Sequence, residues 1–120
     1  MVDRLLFFSL ENVVSGFTIS QDDIFTNGDT FMAPGLIENL AQSVALYTGY
    51  QYFLKNEPAP TGYIGAIKSV KINLLPKVSQ QLETTVKILH EIMGVTLVEI
   101  ETKCEGSIVA TSVMKTVIAA

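Results

Sequence analysis

The feature that most constrains this fold is a single long apolar segment that begins at Pro34-Gly35 and extends to about Phe53. Apolar residues recur in it at helical spacing, and proline is favoured in the first turn of a helix. We therefore predict a helix over residues 35–53, about 28 Å long. Its predicted apolar stripe is Ile37, Leu40, Ala41, Val44 and Thr48. Because apolar residues also occupy much of the remaining circumference, we expect the helix to be buried on nearly all sides.

Around this helix the apolar residues alternate with a period of two, which is typical of β-strands. The predicted strands are residues 13–20, 63–73, 82–92, 95–104 and 107–119. Residues 93–94 and 105–106 are spaced as tight hairpin turns, and residues 27–29 indicate a turn before the helix. The sequence predicts one α+β domain over residues 1–120, in which a long antiparallel sheet receives one buried helix.

Composition excludes several classes of function. The chain has 12 acidic and 8 basic residues, a net charge of −4, and no run of lysine or arginine, so we predict no nucleic-acid partner. One cysteine and one histidine, Cys104 and His90, exclude a disulfide framework within the chain and make a zinc site implausible. We predict no metal and no cofactor.

Hydropathy bears on location and assembly. No stretch approaches the roughly 18 apolar residues that span a bilayer, and the N-terminal apolar run lacks a signal-peptide cleavage pattern, so we expect a cytoplasmic protein with no membrane span. Hydrophobic residues make up 48% of the chain, which is high for a small monomer. We therefore expect a subunit interface.

The only histidine does not coincide with the predicted site. In the strand over residues 82–92, we expect His90 and Ile92 to share the apolar face of Leu82, Val86 and Ile88. His90 is late in that strand and far in sequence from the helix start, so an edge position fits it better than catalysis. Cys104 alternates with Thr102 and is expected to be a small buried hydrophobe rather than a nucleophile.

Residues 33–42 carry a Pro-Gly, an acidic residue and Ala-Gln in that order, and residues 62–68 and 105–110 follow as a strand and a hairpin. In these segments the chain resembles the 3-hydroxyacyl-[acyl-carrier-protein] dehydratases, over about residues 13–119. The resemblance implies a hot-dog fold, in which an antiparallel sheet wraps one central helix. It also implies that two protomers join edge to edge, as a homodimer or a multiple of dimers.

The resemblance implies roles for residues at the helix start. Glu38, with Gln42 one turn later on the same face, would act as a general acid or base, and burial on an apolar helix would raise its pKa. The N–H groups of Gly35 and Leu36, which no side chain caps, would bind a thioester carbonyl as an oxyanion hole. The alternatives are a structural Glu38, hydrogen-bonded to Gln42 or to nearby backbone or exposed at the open end of the helix, and a Gly35 needed only for close packing.

One part of the family pattern is missing. The dehydratases carry a His-Phe-Pro-Gly segment before the helix, and its histidine removes the C2 proton of the substrate. Residues 27–32 read Asn-Gly-Asp-Thr-Phe-Met, with no histidine. Asp29 is the local candidate for a substitute base, and an ordinary turn residue is the alternative.

Three functions fit these residues. The first is a dehydratase-like protein, a lyase if active, that acts on or binds acyl thioesters in metabolism of the fatty acid or polyketide type. The second is a hot-dog thioesterase that uses Glu38. The third is a catalytically inactive acyl-binding subunit that pairs with an active paralogue. In each the ligand is an acyl thioester on acyl-carrier protein or coenzyme A, and the residues do not distinguish the two carriers.

Overall fold

The computed structural model describes residues 2–58 and 62–118. The strands and the helix in this part of the chain are, in order, β1 (Arg4–Phe8), β2 (Asn12–Thr18), β3 (Thr26–Asn27), β4 (Thr30–Phe31), α1 (Ala33–Leu54), β5 (Gly62–Ile72), β6 (Gln81–Ile92), β7 (Val95–Cys104) and β8 (Ser107–Ile118). The predicted helix and five predicted strands are present, and within the described residues their bounds differ by at most two residues; residue 119, the predicted end of the last strand, lies outside the described residues. The predicted α+β class is confirmed.

Six strands form one antiparallel sheet in the order β1-β2-β6-β7-β8-β5, and β3 and β4 form a separate two-stranded hairpin. The turns that join β6 to β7 and β7 to β8 are Met93-Gly94 and Glu105-Gly106, as predicted. All four of these residues have positive φ, between 50° and 82°. Two consecutive residues with positive φ form a two-residue hairpin turn whose twist matches that of the two strands it joins.

Helix α1 packs on one face of the sheet, chiefly against β2 and β6. The core between them is fully or nearly fully buried. Its apolar members include Val13, Phe17, Leu36, Leu40, Val44, Leu82, Val86, Val98, Ile100 and Met114. Because only one side of the helix meets the sheet, the expectation of burial on nearly all sides is wrong.

The buried stripe of α1 is rotated from the predicted one. The buried helix residues are Gly35, Leu36, Asn39, Leu40, Ser43, Val44 and Tyr47. Ile37, Ala41 and Thr48, which were predicted inside, are only partly buried, and Ala45 is exposed. The sequence alone did not determine which face of α1 is buried, because apolar residues lie on both faces of the helix. Packing against the sheet buries one of these faces.

Irregular pairing explains the other differences. Strand β1 was not predicted, and its pairing with β2 shifts register between Leu5 and Phe7, so its residues do not alternate regularly. In β6 the register shifts between Ile88 and His90. The predicted face is therefore correct for Leu82 and Val86 and wrong for His90 and Ile92, which are exposed. No helix in the described residues is long and apolar enough to cross a membrane.

Candidate functional site at the start of helix α1

Helix α1 begins without a side-chain cap. Met32 is the N-cap, in extended conformation, and its carbonyl oxygen accepts hydrogen bonds from the N–H groups of Gly35 (2.9 Å) and Leu36 (3.3 Å). The two predicted oxyanion-hole donors are therefore engaged in this structure, contrary to the expectation that they are free. The chain turns into the helix at Met32, which directs that carbonyl at both donors. Binding of a thioester carbonyl by Gly35 and Leu36 stays a prediction.

Gly35 is needed for packing at this point. A Cβ atom built on it would lie 2.5 Å from Cζ of Phe31 and 2.7 Å from Cβ of Phe25, far inside normal contact. Phe31 is fully buried and lies 6.0 Å from Phe17 and 6.5 Å from Phe25, ring centre to ring centre. The close approach of the helix start to this aromatic cluster supports the packing alternative for Gly35.

Glu38 and Gln42 lie on the face of α1 that points away from the sheet. Gln42 Nε2 donates to Glu38 Oε1 over 2.9 Å, so the predicted pairing of the two side chains is present. Glu38 is partly buried and Gln42 is exposed, so the expected deep burial of the carboxylate is wrong for this chain by itself. Among the described residues no ion pair includes Glu38. Its second carboxylate oxygen is thus available for a ligand on an open helix face.

Asp29 is at the tip of the β3–β4 hairpin and is exposed. Thr30 Oγ1 donates to Asp29 Oδ1 over 3.1 Å, and Lys77 Nζ lies 3.5 Å from the same oxygen. The hydroxyl of Thr30 and the charge of Lys77 lower the pKa of Asp29 below its ordinary value. Because a lower pKa makes a weaker base, this geometry favours a turn residue over a substitute base.

His90 lies far along β6 from the helix start, whereas Cys104 is directly opposite Leu82, at the end of the sheet that receives the helix start. His90 is exposed opposite Leu97 on β7, and lies eight residues along β6 from Leu82, or about 26 Å at the rise of a strand. Leu82 is paired with Phe17, a member of the aromatic cluster that receives the helix start. Cys104 is buried as predicted; burial, and then the charge of Glu105, raises the pKa of its thiol. In the described part of the chain no group of three or more His, Cys, Asp or Glu side chains could hold a metal.

Sequence reasoning missed a buried polar network beneath α1. Its members are Ser15 on β2, Asn39 and Ser43 on α1, Thr84 on β6 and Thr102 on β7, each at most 1% exposed. Thr84 Oγ1 donates to Asn39 Oδ1 (2.7 Å) and shares a hydrogen bond with Thr102 Oγ1 (2.8 Å). Polar residues at positions 39 and 43, one helical turn apart, were the available signal. Their partners are distant in sequence, so the signal could not identify them.

The edge strand β5 leaves an apolar strip uncovered. Ile64, Ile67 and Val70 are 43%, 45% and 37% exposed, although Ile67 is paired with the buried Met114 and Val70 with the buried Ser112. Directly opposed residues lie on the same face of a sheet, so these two side chains point to the helix side. This apolar strip (Ile64, Ile67 and Val70) lies on β5, which is the last strand of the sheet. Among the described residues no strand pairs with the outer edge of β5.

This arrangement of one long helix on a six-stranded sheet is shared with solved hot-dog proteins. The chain is similar to a chain of the dehydratase heterocomplex ApeI:P from Xenorhabdus doucetiae, with a TM-score of 0.87 and 20% identity over 99% of this chain and 82% of that one. It is also similar to a hypothetical thioesterase with coenzyme A from Streptococcus pneumoniae TIGR4 (TM-score 0.77, 10% identity, 98% and 85% covered). The Escherichia coli PaaI protein of the phenylacetic acid degradation operon has a TM-score of 0.78 and 13% identity (98% and 79% covered).

At these identities the likeness shows the fold, and the predicted hot-dog fold is confirmed. The chain is a dehydratase-like hot-dog protein. A family model described as ApeP-like, ApeP dehydratase, matches residues 1–119, so the chain belongs to the ApeP-like dehydratase family. No curated protein sequence matches it significantly.

Proposed function

We propose that this chain binds an acyl thioester and contributes Glu38 to a dehydratase site that a second hot-dog chain completes. The observation that carries the proposal is the position of Glu38: it is hydrogen-bonded to Gln42 on the outward face of α1, whereas the only histidine is on a distant part of β6. The acid is thus presented to a partner, and the base has to come from that partner.

Loss of water from a 3-hydroxyacyl thioester needs two proton transfers. A base takes the proton from C2, the C2=C3 double bond forms, and the C3 hydroxyl leaves as water after it receives a proton. Glu38, in its protonated form, supplies that second proton, and Gln42 holds the carboxyl group from the other oxygen. The base is a histidine of the second chain, in the segment that residues 27–32 of this chain lack.

The β5 edge supports pairing with a second chain. Long, apolar, unpaired edge strands are unusual in proteins that act alone, because they invite pairing with another strand. The solved dehydratase with the same fold is a heterocomplex, which supports a partner that differs from this chain. A homodimer through the same edge is the other outcome that the experiments below separate.

The test is an assay of this chain alone and after co-expression with a hot-dog chain that carries the His-Phe-Pro-Gly segment. Substrates are 3-hydroxyacyl coenzyme A and 3-hydroxyacyl-[acyl-carrier protein], and formation of the enoyl thioester is followed. Because a positioned base is worth about 10²- to 10⁴-fold, we expect the assembly to exceed this chain alone by that factor. Equal turnover by this chain alone would contradict the proposal.

The edge has its own test. Ile67→Lys places a charge in the apolar strip of β5, and Leu6→Lys places the same charge at an exposed position of β1, the opposite edge of the sheet. We expect Ile67→Lys to abolish assembly in sedimentation experiments and Leu6→Lys to leave it unchanged. Loss of assembly in the Leu6 variant alone would show that the partner binds the other edge.

A thioesterase is the second candidate, and the Glu38–Gln42 pair favours it because a carboxylate can attack a thioester or activate water without an imidazole. Four of the similar solved structures are described as thioesterases, three of them of one Streptococcus pneumoniae protein. Release of free thiol from a saturated acyl thioester, without enoyl product, would support this function. Binding of the thioester with neither product would indicate an inactive subunit.

A further inference from the structure

The buried network beneath α1 is fully hydrogen-bonded, and each hydroxyl proton has a definite place. Ser43 Oγ donates to the Asn39 carbonyl (2.7 Å), so in its 2.7 Å contact with Ser15 it is the acceptor. Thr84 donates to Asn39 Oδ1, so in its contact with Thr102 it accepts. Among the described residues no buried side-chain nitrogen or oxygen lacks a partner. The network therefore ties one turn of α1 directly to β2 and β6, and through Thr84 to Thr102 on β7.

Apolar packing alone does not fix how a helix is rotated on a sheet, because burial of apolar surface is non-directional. Hydrogen bonds depend steeply on distance and angle. Rotating or sliding α1 would separate Asn39 from Thr84, and Ser43 from Ser15, and would leave buried polar groups without partners. The network thus selects one rotation and one axial position of the helix.

The rotation of α1 on the sheet determines the direction in which the side chains of Glu38 and Gln42 point. Glu38 and Gln42 each precede a network residue by one position, which is about 100° around the helix. A helix rotation of about 20° would move a carboxylate roughly 6 Å from the axis by about 2 Å. A misplacement of about 1 Å near reacting atoms can lower a rate about 10²-fold.

We infer that Asn39, Ser43 and Thr84 are positioning residues, which orient Glu38 and Gln42 by fixing the rotation of α1. The role in catalysis rests on the proposed function, and the orientation itself does not. The Glu38–Gln42 pair and the buried network thus occupy adjacent positions on α1, and the network fixes the direction in which the pair points.

The first test uses this chain without substrate. Thr84→Val removes the hydroxyl at constant volume, Thr84→Ser retains it, and Thr96→Val makes the same change at a buried threonine of β7 outside the network. We expect Thr84→Val to change the nuclear Overhauser effects between side chains of α1 and those of β2 and β6, because the helix rotates or slides on the sheet. Thr84→Ser and Thr96→Val should leave these Overhauser effects unchanged. Unchanged Overhauser effects in folded Thr84→Val would overturn the inference.

The second test measures turnover of 3-hydroxyacyl coenzyme A in the assembly with the histidine-bearing chain. Thr84→Val should lower kcat about 10- to 100-fold with KM within about twofold, and Thr84→Ser should restore kcat. Equal kcat in Thr84→Val and Thr96→Val would also overturn the inference. If the wild-type assembly turns over no substrate, the proposed function fails and the comparison of Overhauser effects still decides the orientation of α1. If Thr84→Val does not fold, Ser43→Ala takes its place with the same expectations.

Discussion

The two faces of helix α1 are held by different means. On the inward face Leu36, Leu40 and Val44 are fully or nearly fully buried against the sheet, and Asn39 and Ser43 are hydrogen-bonded to it. On the outward face Glu38 is partly buried and Gln42 exposed, and they contact each other. The inward face maintains the fold and the outward face is available for a ligand or a partner.

This difference teaches that stability and function are separable by substitution within one helix. Residues one position apart in sequence, such as Glu38 and Asn39, belong to different faces. Inward substitutions are expected to lower the free energy of unfolding, and outward ones to change activity with little effect on folding. The predictions below test that separation, from the largest effect on stability to the smallest.

Leu40→Ala removes a fully buried side chain from the inward face. We expect it to lower the free energy of unfolding by about 2–5 kcal/mol, because the lost apolar contact and the cavity both destabilise. The control is Leu54→Ala at the exposed end of the same helix, with a change within about 0.5 kcal/mol. Denaturant titration measures both. Equal losses would show that burial of Leu40 against the sheet does not contribute more to stability than the exposed Leu54.

Gly35→Ala introduces a Cβ where Phe31 and Phe25 leave no room. We expect overpacking to destabilise by about 1–3 kcal/mol, partly offset by the better helix propensity of alanine. Gly49→Ala is the matched control, since a Cβ there meets no atom within 4 Å and should stabilise by up to about 1 kcal/mol. Opposite shifts in thermal midpoint are expected. A stabilised Gly35→Ala would contradict the packing role.

Asp29→Asn should have the smallest effect. The pKa of Asp29 is lowered in the folded chain from its ordinary 3.8, so the folded state binds this proton more weakly than the unfolded state. The stabilisation is therefore present above pH 3.8 and is lost as the pH falls through the lower, folded-state value. Because the side chain is exposed, we expect a small difference in thermal midpoint at pH 7 that shrinks in acid and in high salt. Turnover by the assembly should be unchanged, and a loss of about 10²-fold or more would identify Asp29 as a base.

The regular parts of the fold were predictable from the sequence. Helix α1 and strands β6 to β8 are long and strongly periodic, and Met93-Gly94 and Glu105-Gly106 mark their turns. Strand β1 was not predictable, because a register shift in its pairing with β2 breaks the alternation. The exposure of His90 agrees with the expected edge position, but the shift between Ile88 and His90 removes it from the apolar face of β6, which the alternation did not predict. The rotation of α1 was also missed, since its apolar residues would suit burial on either face.

Within the site, only the contact between residues close in sequence was predictable. The Glu38–Gln42 contact follows from their spacing of four residues on a helix. The engagement of Gly35 and Leu36 by Met32 depends on how the chain approaches the helix, which residue types do not specify. The contacts of Asn39 with Thr84, 45 residues away, depend on the packing of the whole sheet.

The most direct test of the central claim is Glu38→Gln in the assembly with the histidine-bearing chain, assayed with 3-hydroxyacyl coenzyme A. Glu99→Gln, at an exposed position on β7, is the control for the same change of charge. We predict that Glu38→Gln lowers kcat about 10²- to 10⁴-fold while assembly and thermal midpoint stay near those of the wild type and of Glu99→Gln. Undiminished turnover in the Glu38→Gln assembly would contradict the assignment of Glu38 as the acid.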